Sequence, residues 1–170
     1  MKKRFPLIFA AAILFSSCNP FAPGFDAGVD TGASVLGDLT TVEGIFQNLK
    51  YAYTFRDTSI YGQLFNSGFT FFYRDYDQGL DVSWGRDEEM RTTSSLFQNV
   101  ESLELVWNQI ASISTDSTNT SASVTRNFNL TVTFNASDIL RADGYATFSL
   151  QRAQPQKPWS IVRWDDQSNF

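Results

Sequence analysis

The sequence predicts an α+β protein in which helices come first and a bent antiparallel sheet follows. Apolar residues recur at spacings of three and four up to about residue 99, which is typical of amphipathic helices. From Val100 onward they alternate with polar residues, as in half-buried strands. With 16 Phe, 6 Tyr and 4 Trp in 170 residues, the chain has the length and the aromatic content for one domain with a substantial core.

Three helices are predicted ahead of the main strands. The first begins near Thr40, where Thr40 and Glu43 match a capping box. Asp57 is the predicted N-cap of a shorter second helix, and a third runs from about Arg86 to Asn99 with acidic residues in its first turn, where the helix dipole favours negative charge. The strand FTFFYRD separates the second helix from the third. The apolar face of the first helix contains Val42, Ile45, Phe46, Leu49, Ala52 and Tyr53.

The strand predictions are clearest after the third helix. Leu103, Leu105 and Trp107 alternate with polar residues until a shift near Gln109, which indicates a bulge. A polar hairpin loop, STDSTNTS, leads into the strand 122–134, which has one apolar face and one face of Ser, Thr and Asn. At least two further strands are predicted at 145–152 and 159–165.

This order of elements resembles the NTF2-like superfamily, and the segments TVEGIFQNLKYAY, FTFFYRD, WGRDEEMRTTSSLF and PWSIVRWDDQ carry the resemblance. The superfamily contains SnoaL-like proteins, ketosteroid isomerases, scytalone dehydratase and many non-catalytic domains. The resemblance implies a cone, with three N-terminal helices packed on a strongly curved antiparallel sheet and a pocket at the wide end. We therefore expect residues 39–170 to form one NTF2-like domain.

The N-terminal segment predicts where in the cell the protein is located. Basic residues at positions 2–4 precede an uncharged stretch, Phe5 to Phe15, which is too short to span a bilayer, and two serines lead to Cys18. This segment resembles a bacterial lipobox, although Phe15 stands where leucine is usual. The resemblance implies that residues 1–17 are a lipoprotein signal peptide, that Cys18 carries the acyl chains, and that the glycine-rich stretch 18–38 is a flexible tether. The alternative is a buried thiol in an N-terminal helix.

The net charge of the chain limits the classes of partner that it is expected to bind. Removal of residues 1–17 leaves ten basic and eighteen acidic residues, a net charge of −8. Because nucleic-acid affinity needs clustered Lys and Arg, we expect no nucleic-acid partner, and the lipid alone should hold the protein at the membrane. We expect a lipid-anchored protein of the bacterial cell envelope, and the outer membrane or periplasmic face is favoured since Asn19 is not an aspartate.

The catalytic repertoire is limited by the absence of histidine. This absence removes the commonest general base and most transition-metal sites, and no glycine-rich phosphate loop is present, so we expect neither cofactor nor metal. The resemblance to the isomerases implies a carboxylate base at Asp75 and a tyrosine donor at Tyr53 or Tyr51. The structural alternatives are a turn acceptor for Asp75 and a core position for Tyr53.

A ligand-binding candidate comes from the apolar face of the strand 122–134. Arg126 interrupts this face, and because a buried guanidinium needs a partner, Glu104 on the preceding strand is the expected one. If that pair lined the mouth of the cone, Arg126 could hold an anionic or carbonyl-bearing ligand. The alternative is a structural ion pair. Arg163 is a second candidate for either a ligand-binding role or a structural ion pair. Trp107 is expected in the core or the pocket wall.

Three hypotheses about function remain. The favoured one is a non-catalytic envelope lipoprotein whose domain binds a small apolar or anionic ligand, or a partner protein. The second is an isomerase or dehydratase that uses Asp75 as general base. The third is a structural protein that dimerises through its sheet, so the chain is expected as a monomer or a homodimer.

Overall fold

The computed structural model describes residues 35–169. The predicted signal peptide, Cys18 and most of the predicted tether lie outside the described residues. Within the described range, no helix combines the length and the apolar character that crossing a membrane requires. The range forms three helices and one curved six-stranded sheet, which confirms the predicted α+β class.

The elements follow the predicted order with one addition. The helices are α1 (Val42–Phe55), α2 (Thr58–Gln63) and α3 (Arg86–Asn99). The strands are β1 (Phe65–Asp75), β2 (Leu80–Gly85), β3 (Ser102–Thr115), β4 (Ser121–Asn135), β5 (Asp138–Gln151) and β6 (Ser160–Asn169). Strand β2 is not predicted from the sequence, because this strand is six residues long and most of it is exposed, so its apolar alternation is weak.

The caps of the first two helices explain where they begin. The Asp57 carboxylate accepts the backbone N–H groups of Ser59 and Ile60, as predicted. The predicted capping box at Thr40 is wrong, since the N-cap of α1 is Thr41, whose hydroxyl accepts the Gly44 N–H at 3.0 Å. The Glu43 carboxylate is unavailable for such a box because it pairs with Arg126.

The strand order is β2-β1-β6-β5-β4-β3. Every neighbouring pair is antiparallel except β1 and β6, which run parallel. The predicted bulge in β3 is present as a register shift between Trp107 and Ile110. Gly144 in β5 has φ 157°, and a Cβ there would lie 2.4 Å from the carbonyl oxygen of Gln167. Glycine at this position therefore lets the end of β6 approach β5 closely.

The core lies between the concave face of the sheet and the helices. Four residues of α1 have no exposed surface. One of them, Phe46, makes edge-to-face contacts with Trp107 and Phe148 at centroid distances of 5.0 and 5.5 Å. These contacts fix α1 across β3 and β5 and leave room further along the sheet, between its concave face and α3. The four buried residues are Ile45, Phe46, Leu49 and Ala52.

Candidate ligand-binding cavity

A cavity of about 300 Å³ lies between helices α1 and α3 and the concave face of the sheet. All six strands contribute to its lining, and most of the lining is apolar. The sheet supplies three tryptophans and three phenylalanines because their side chains fall on the inward phase of the strands. These six residues are Phe71, Trp84, Trp107, Phe128, Phe134 and Trp164.

Glu89 supplies one of two carboxyl groups in the cavity. The residue is 4 % exposed. One carboxylate oxygen accepts the Tyr61 hydroxyl at 2.5 Å and the Thr93 hydroxyl at 3.0 Å, and the other accepts the Trp84 indole N–H at 2.7 Å. Among the described residues no Lys or Arg pairs with it. Neutral donors from α2, α3 and β2 therefore hold a buried carboxylate in place.

Two buried tyrosines lie beside this carboxylate. Burial raises the pKa of the Tyr53 hydroxyl, and the negative charge of Glu89 raises it further. Burial likewise raises the pKa of Tyr61, with the neighbouring Tyr53 and Glu89 as further causes. Both phenols stay protonated at neutral pH, so each remains a hydrogen-bond donor. Tyr53 lines the cavity, whereas Tyr61 is fully buried behind it.

Asp166 is the second carboxyl group of the cavity. Trp164, Asp166 and Ser168 occupy alternate positions of β6 and all three line the cavity. One Asp166 oxygen accepts the backbone N–H of Ser168 at 2.9 Å. Burial raises the pKa of the Asp166 carboxyl, and the charge of Glu89 is a smaller cause in the same direction. The polar side of the cavity therefore carries two acids with different hydrogen-bond environments.

Two buried polar atoms of the lining residues lack a hydrogen-bond partner within residues 35–169. They are the indole Nε1 of Trp164 and the hydroxyl Oγ of Ser168. Buried polar atoms in proteins nearly always have a partner, and an unpaired donor costs about 1–3 kcal/mol. Because both residues line the cavity, a bound molecule with polar groups is a physical candidate for the partner of each.

A second hollow of about 260 Å³ adjoins the cavity and shares Asp166 and Ser168 with it. The predicted base, Asp75, lines this hollow and not the apolar cavity. Its carboxylate accepts the backbone N–H of Gln78 at 2.9 Å, which is the role of a turn acceptor. In the part of the chain that the structure describes, no three metal-ligating side chains converge.

The structure brings two of the predicted site residues to the cavity, Tyr53 (the predicted tyrosine donor) and Trp107. Both line the cavity. The Trp107 indole N–H donates to the backbone carbonyl of Phe46 at 3.0 Å, so its ring is held as a wall of the cavity. Tyr51, the alternative to Tyr53, instead packs against Phe55 with ring centroids 4.5 Å apart and is not among the lining residues.

The predicted pair of Arg126 and Glu104 is wrong. Glu104 is exposed and lies opposite Thr131, whereas Arg126 lies opposite Ile110, beyond the bulge in β3. The Arg126 guanidinium pairs with Glu43 of α1 at 2.8 Å and lies 4.9 Å from the centroid of the Phe46 ring. Helix α1 supplies the partner because it crosses the concave face at this point.

Arg163 also has a partner away from the cavity. Its guanidinium pairs with Asp165 and stacks on the Phe72 ring at 4.7 Å, on the opposite phase of β6 from Trp164. Arg126, Glu104 and Arg163 are all absent from the cavity lining formed by residues 35–169.

We expect Arg126→Ala to lower the free energy of unfolding by about 1–2 kcal/mol. The substitution removes a largely buried guanidinium, its ion pair with Glu43 and its contact with Phe46. Arg91→Ala is the matched control, since Arg91 forms an exposed pair with Glu88 and should change stability by less than about 0.5 kcal/mol. Urea denaturation followed by tryptophan fluorescence measures both. Equal effects of the two substitutions would contradict a structural role for Arg126.

Glu89, Asp166 and Ser168 are not among the site residues predicted from the sequence. A signal for each is present in the sequence. Glu89 precedes Thr93 and Phe97 at spacings of four and eight, which places it on the inward face of α3. Asp166 and Ser168 follow the apolar Trp164 at the strand period of two. The acidic first turn of α3 suggested instead that Glu89 serves the helix dipole.

Similarity to solved structures shows that the chain has an NTF2-like fold. A candidate scytalone dehydratase from Novosphingobium aromaticivorans is 14% identical with a TM-score of 0.59, covering 76% of this chain and 82% of its own. An NTF2-like protein of unknown function from Shewanella baltica is 16% identical with a TM-score of 0.53, covering 74% and 89%.

A third similar structure is a candidate dehydratase of the NTF2-like family from Streptomyces avermitilis. It is 16% identical with a TM-score of 0.57, and the match covers 73% of this chain and 90% of that protein. No protein-family model and no curated protein matches the sequence. At these identities the similarity concerns the fold, which agrees with the resemblance predicted from the sequence.

Proposed function

We propose that this domain binds a small, largely apolar molecule in the cavity between α3 and the sheet, without transforming it. The observation that carries the proposal is an aromatic cavity whose lining contains two buried polar atoms without partners, Trp164 Nε1 and Ser168 Oγ. The cavity volume of about 300 Å³ lies at the lower end of the range for small-molecule sites. Burial of apolar ligand surface, at about 25 cal/mol per Å², is the expected driving force.

The charged residues that line the cavity limit the charge that a ligand can carry. Its eighteen lining residues include two acids, Glu89 and Asp166, and no Lys or Arg. An anion would meet negative charge in a medium of low dielectric constant, where repulsion is stronger than in water. Of the predicted ligand classes, the geometry therefore favours largely apolar molecules without a negative charge over anions.

Binding of 4-phenylbutan-1-ol tests the proposal, since three of the four tryptophans line the cavity and report occupancy by fluorescence. We expect saturable binding to the wild-type protein, and a roughly tenfold or greater loss of affinity in Ala142→Phe. Ala142 is 2 % exposed and lines the cavity, so the phenyl ring fills the space that the ligand needs. Calorimetry with the same compound provides a second measurement.

Ala111→Phe is the matched control, because Ala111 lies in the same sheet but is exposed and outside the cavity. It should bind the alcohol as the wild-type protein does. If the wild-type protein shows no saturable binding, or if Ala142→Phe binds with unchanged affinity, the cavity is not a ligand site.

A second candidate function is proton transfer of the isomerase or dehydratase kind, with Asp166 in place of Asp75. The supporting observation is a carboxyl group in an apolar cavity whose pKa is raised by burial, close to the protonated Tyr53. Exchange of deuterium into the carbon positions next to the carbonyl of 4-phenylbutan-2-one, followed by proton NMR, measures such transfer. A catalyst would lose about 10²-fold or more in Asp166→Asn and little in Asp75→Asn. Exchange at the buffer rate excludes this function.

We further propose that a lipid on Cys18 holds the domain at a bacterial envelope membrane. The support is the sequence pattern alone: a basic head, a short apolar stretch, two serines and a lone cysteine. A cavity on a domain held at the membrane by a lipid would encounter apolar molecules that enter or leave the bilayer.

A further inference from the structure

The cavity holds two acidic groups without a cationic partner. Glu89 and Asp166 both line it, and neither forms a salt bridge within the described part of the chain. Charged groups removed from water are as a rule paired with an opposite charge. Three neutral donors from three elements satisfy the Glu89 carboxylate, whereas the donors to Asp166 among residues 35–169 come from Ser168 alone. Asp166 therefore has capacity for one more donor.

The adjoining hollow has the same sign of charge. Asp75 and Asp77 line it together with Asp166. Its one basic lining residue, Arg74, is paired with Asp81 at 2.6 Å and so adds little net positive charge. A recess lined by carboxylates on low-dielectric walls raises the local concentration of cations. The approach to the Asp166 end of the cavity is consequently electronegative.

The rest of the cavity suits an organic cation. Six of its lining residues are the Trp and Phe side chains named above, and Tyr53 is a seventh aromatic. The faces of aromatic rings carry negative electrostatic potential and attract ammonium groups, most strongly at tryptophan. Aromatic rings and carboxylates together thus form a site that suits a hydrophobic amine.

We infer that the natural ligand of this cavity is a largely apolar organic amine whose ammonium group lies against Asp166 and Ser168. The inference rests on the proposed function, which it deepens by naming the chemical class of the ligand. The Asp166 carboxylate accepts an ammonium proton, and the Ser168 hydroxyl beside it is a further acceptor. The Trp164 indole N–H is itself a donor, so the ammonium lies away from it, and a hydrogen-bond acceptor in the rest of the ligand would pair with this N–H.

Three compounds with one carbon skeleton test the inference: 4-phenylbutylamine, 4-phenylbutan-1-ol and 4-phenylbutanoate. At about pH 8 the amine is cationic and the acid anionic. We expect the wild-type protein to bind the amine at least about tenfold more tightly than the alcohol, and to bind the carboxylate least tightly. Calorimetry or tryptophan fluorescence gives the three dissociation constants.

Asp166→Asn keeps the shape of the side chain and removes its charge. We expect this variant to lose the preference for the amine over the alcohol. Asp138→Asn is the matched control, because Asp138 is exposed and lies outside both the cavity and the adjoining hollow, and it should keep the preference. A thermal melt of each variant establishes that it is folded.

The wild-type protein alone provides a further measurement. Burial raises the pKa of the Asp166 carboxyl, so its attractive, ionised form gains population as the pH rises. The preference for the amine should therefore increase as the pH rises from about 4, the ordinary pKa of an aspartate, to about 8, whereas affinity for the alcohol should change less. The titratable groups around Asp166 are Glu89 from α3, Tyr53 from α1, and Tyr73, Arg74, Asp75, Tyr76 and Asp77 from β1 and the turn after it.

The possible results separate the inference from the proposed function. Alcohol binding that equals or exceeds amine binding overturns the inference and leaves the cavity as a site for neutral molecules. Absence of binding by all three compounds overturns both. An amine preference that survives in Asp166→Asn, or that does not change with pH, contradicts the position of the ammonium at Asp166.

Discussion

Glu89→Ala is expected to lower the free energy of unfolding by about 3 kcal/mol and the midpoint of thermal unfolding by roughly 10 °C. The Glu89 carboxylate accepts hydrogen bonds from Tyr61, Thr93 and Trp84, which come from α2, α3 and β2. Its removal leaves a fully buried tyrosine hydroxyl and an indole N–H without their acceptor, and each such orphan costs about 1–3 kcal/mol. The loss of packed volume adds to this cost.

Glu88→Ala is the matched control for this prediction. Glu88 is the preceding residue of the same helix, and its carboxylate forms an exposed pair with Arg91. We expect it to change stability by less than about 0.5 kcal/mol. Urea denaturation of both variants gives the comparison. If Glu89→Ala is no more destabilising than Glu88→Ala, the buried hydrogen bonds do not hold the cavity together.

Glu89→Gln separates the charge of this side chain from its shape. The glutamine amide brings two donor hydrogens toward groups that already donate, so one of the three hydrogen bonds must be lost or reversed. We expect a stability between those of the wild-type protein and Glu89→Ala. A variant as stable as the wild-type protein would show that shape, and not charge, is what the site requires at this position.

Cys18→Ser is expected to release nearly all of the protein from the membrane fraction when the full chain is expressed in a bacterial host. Two or three acyl chains bind a bilayer stably, at about 0.8 kcal/mol for each buried methylene, whereas one chain binds only reversibly. No helix within residues 35–169 offers an alternative way across a bilayer, and the acidic chain is repelled by anionic lipid. Fractionation followed by immunoblotting measures the distribution.

Asn19→Ser is the control for Cys18→Ser, because it changes the next residue and keeps the thiol. It should remain in the membrane fraction. The mass of the wild-type protein should correspond to a chain that begins at Cys18 and carries fatty acids. An intact N-terminus with an unmodified thiol, or membrane attachment of Cys18→Ser that withstands a carbonate wash, would refute the lipid anchor.

The sequence by itself determined the local elements. The bounds of α3, the cap at Asp57, the bulge after Trp107 and the alternation of β4 all follow from interactions within a few residues, and the structure agrees with each. Periodicity reports such features because one repeating pattern of apolar side chains specifies one face of one element. The α+β class follows from the order of these elements.

Only the tertiary structure decided which faces meet. The parallel pairing of β1 with β6 and the pairing of Arg126 with Glu43 join residues far apart in the sequence, so no local pattern predicts them. Glu89 and Asp166 likewise lie on different elements, and the curvature of the sheet brings both to one cavity. Apolar periodicity marks the inward side of an element, but the shape of the assembled layers decides whether that side closes into core or leaves space for a ligand.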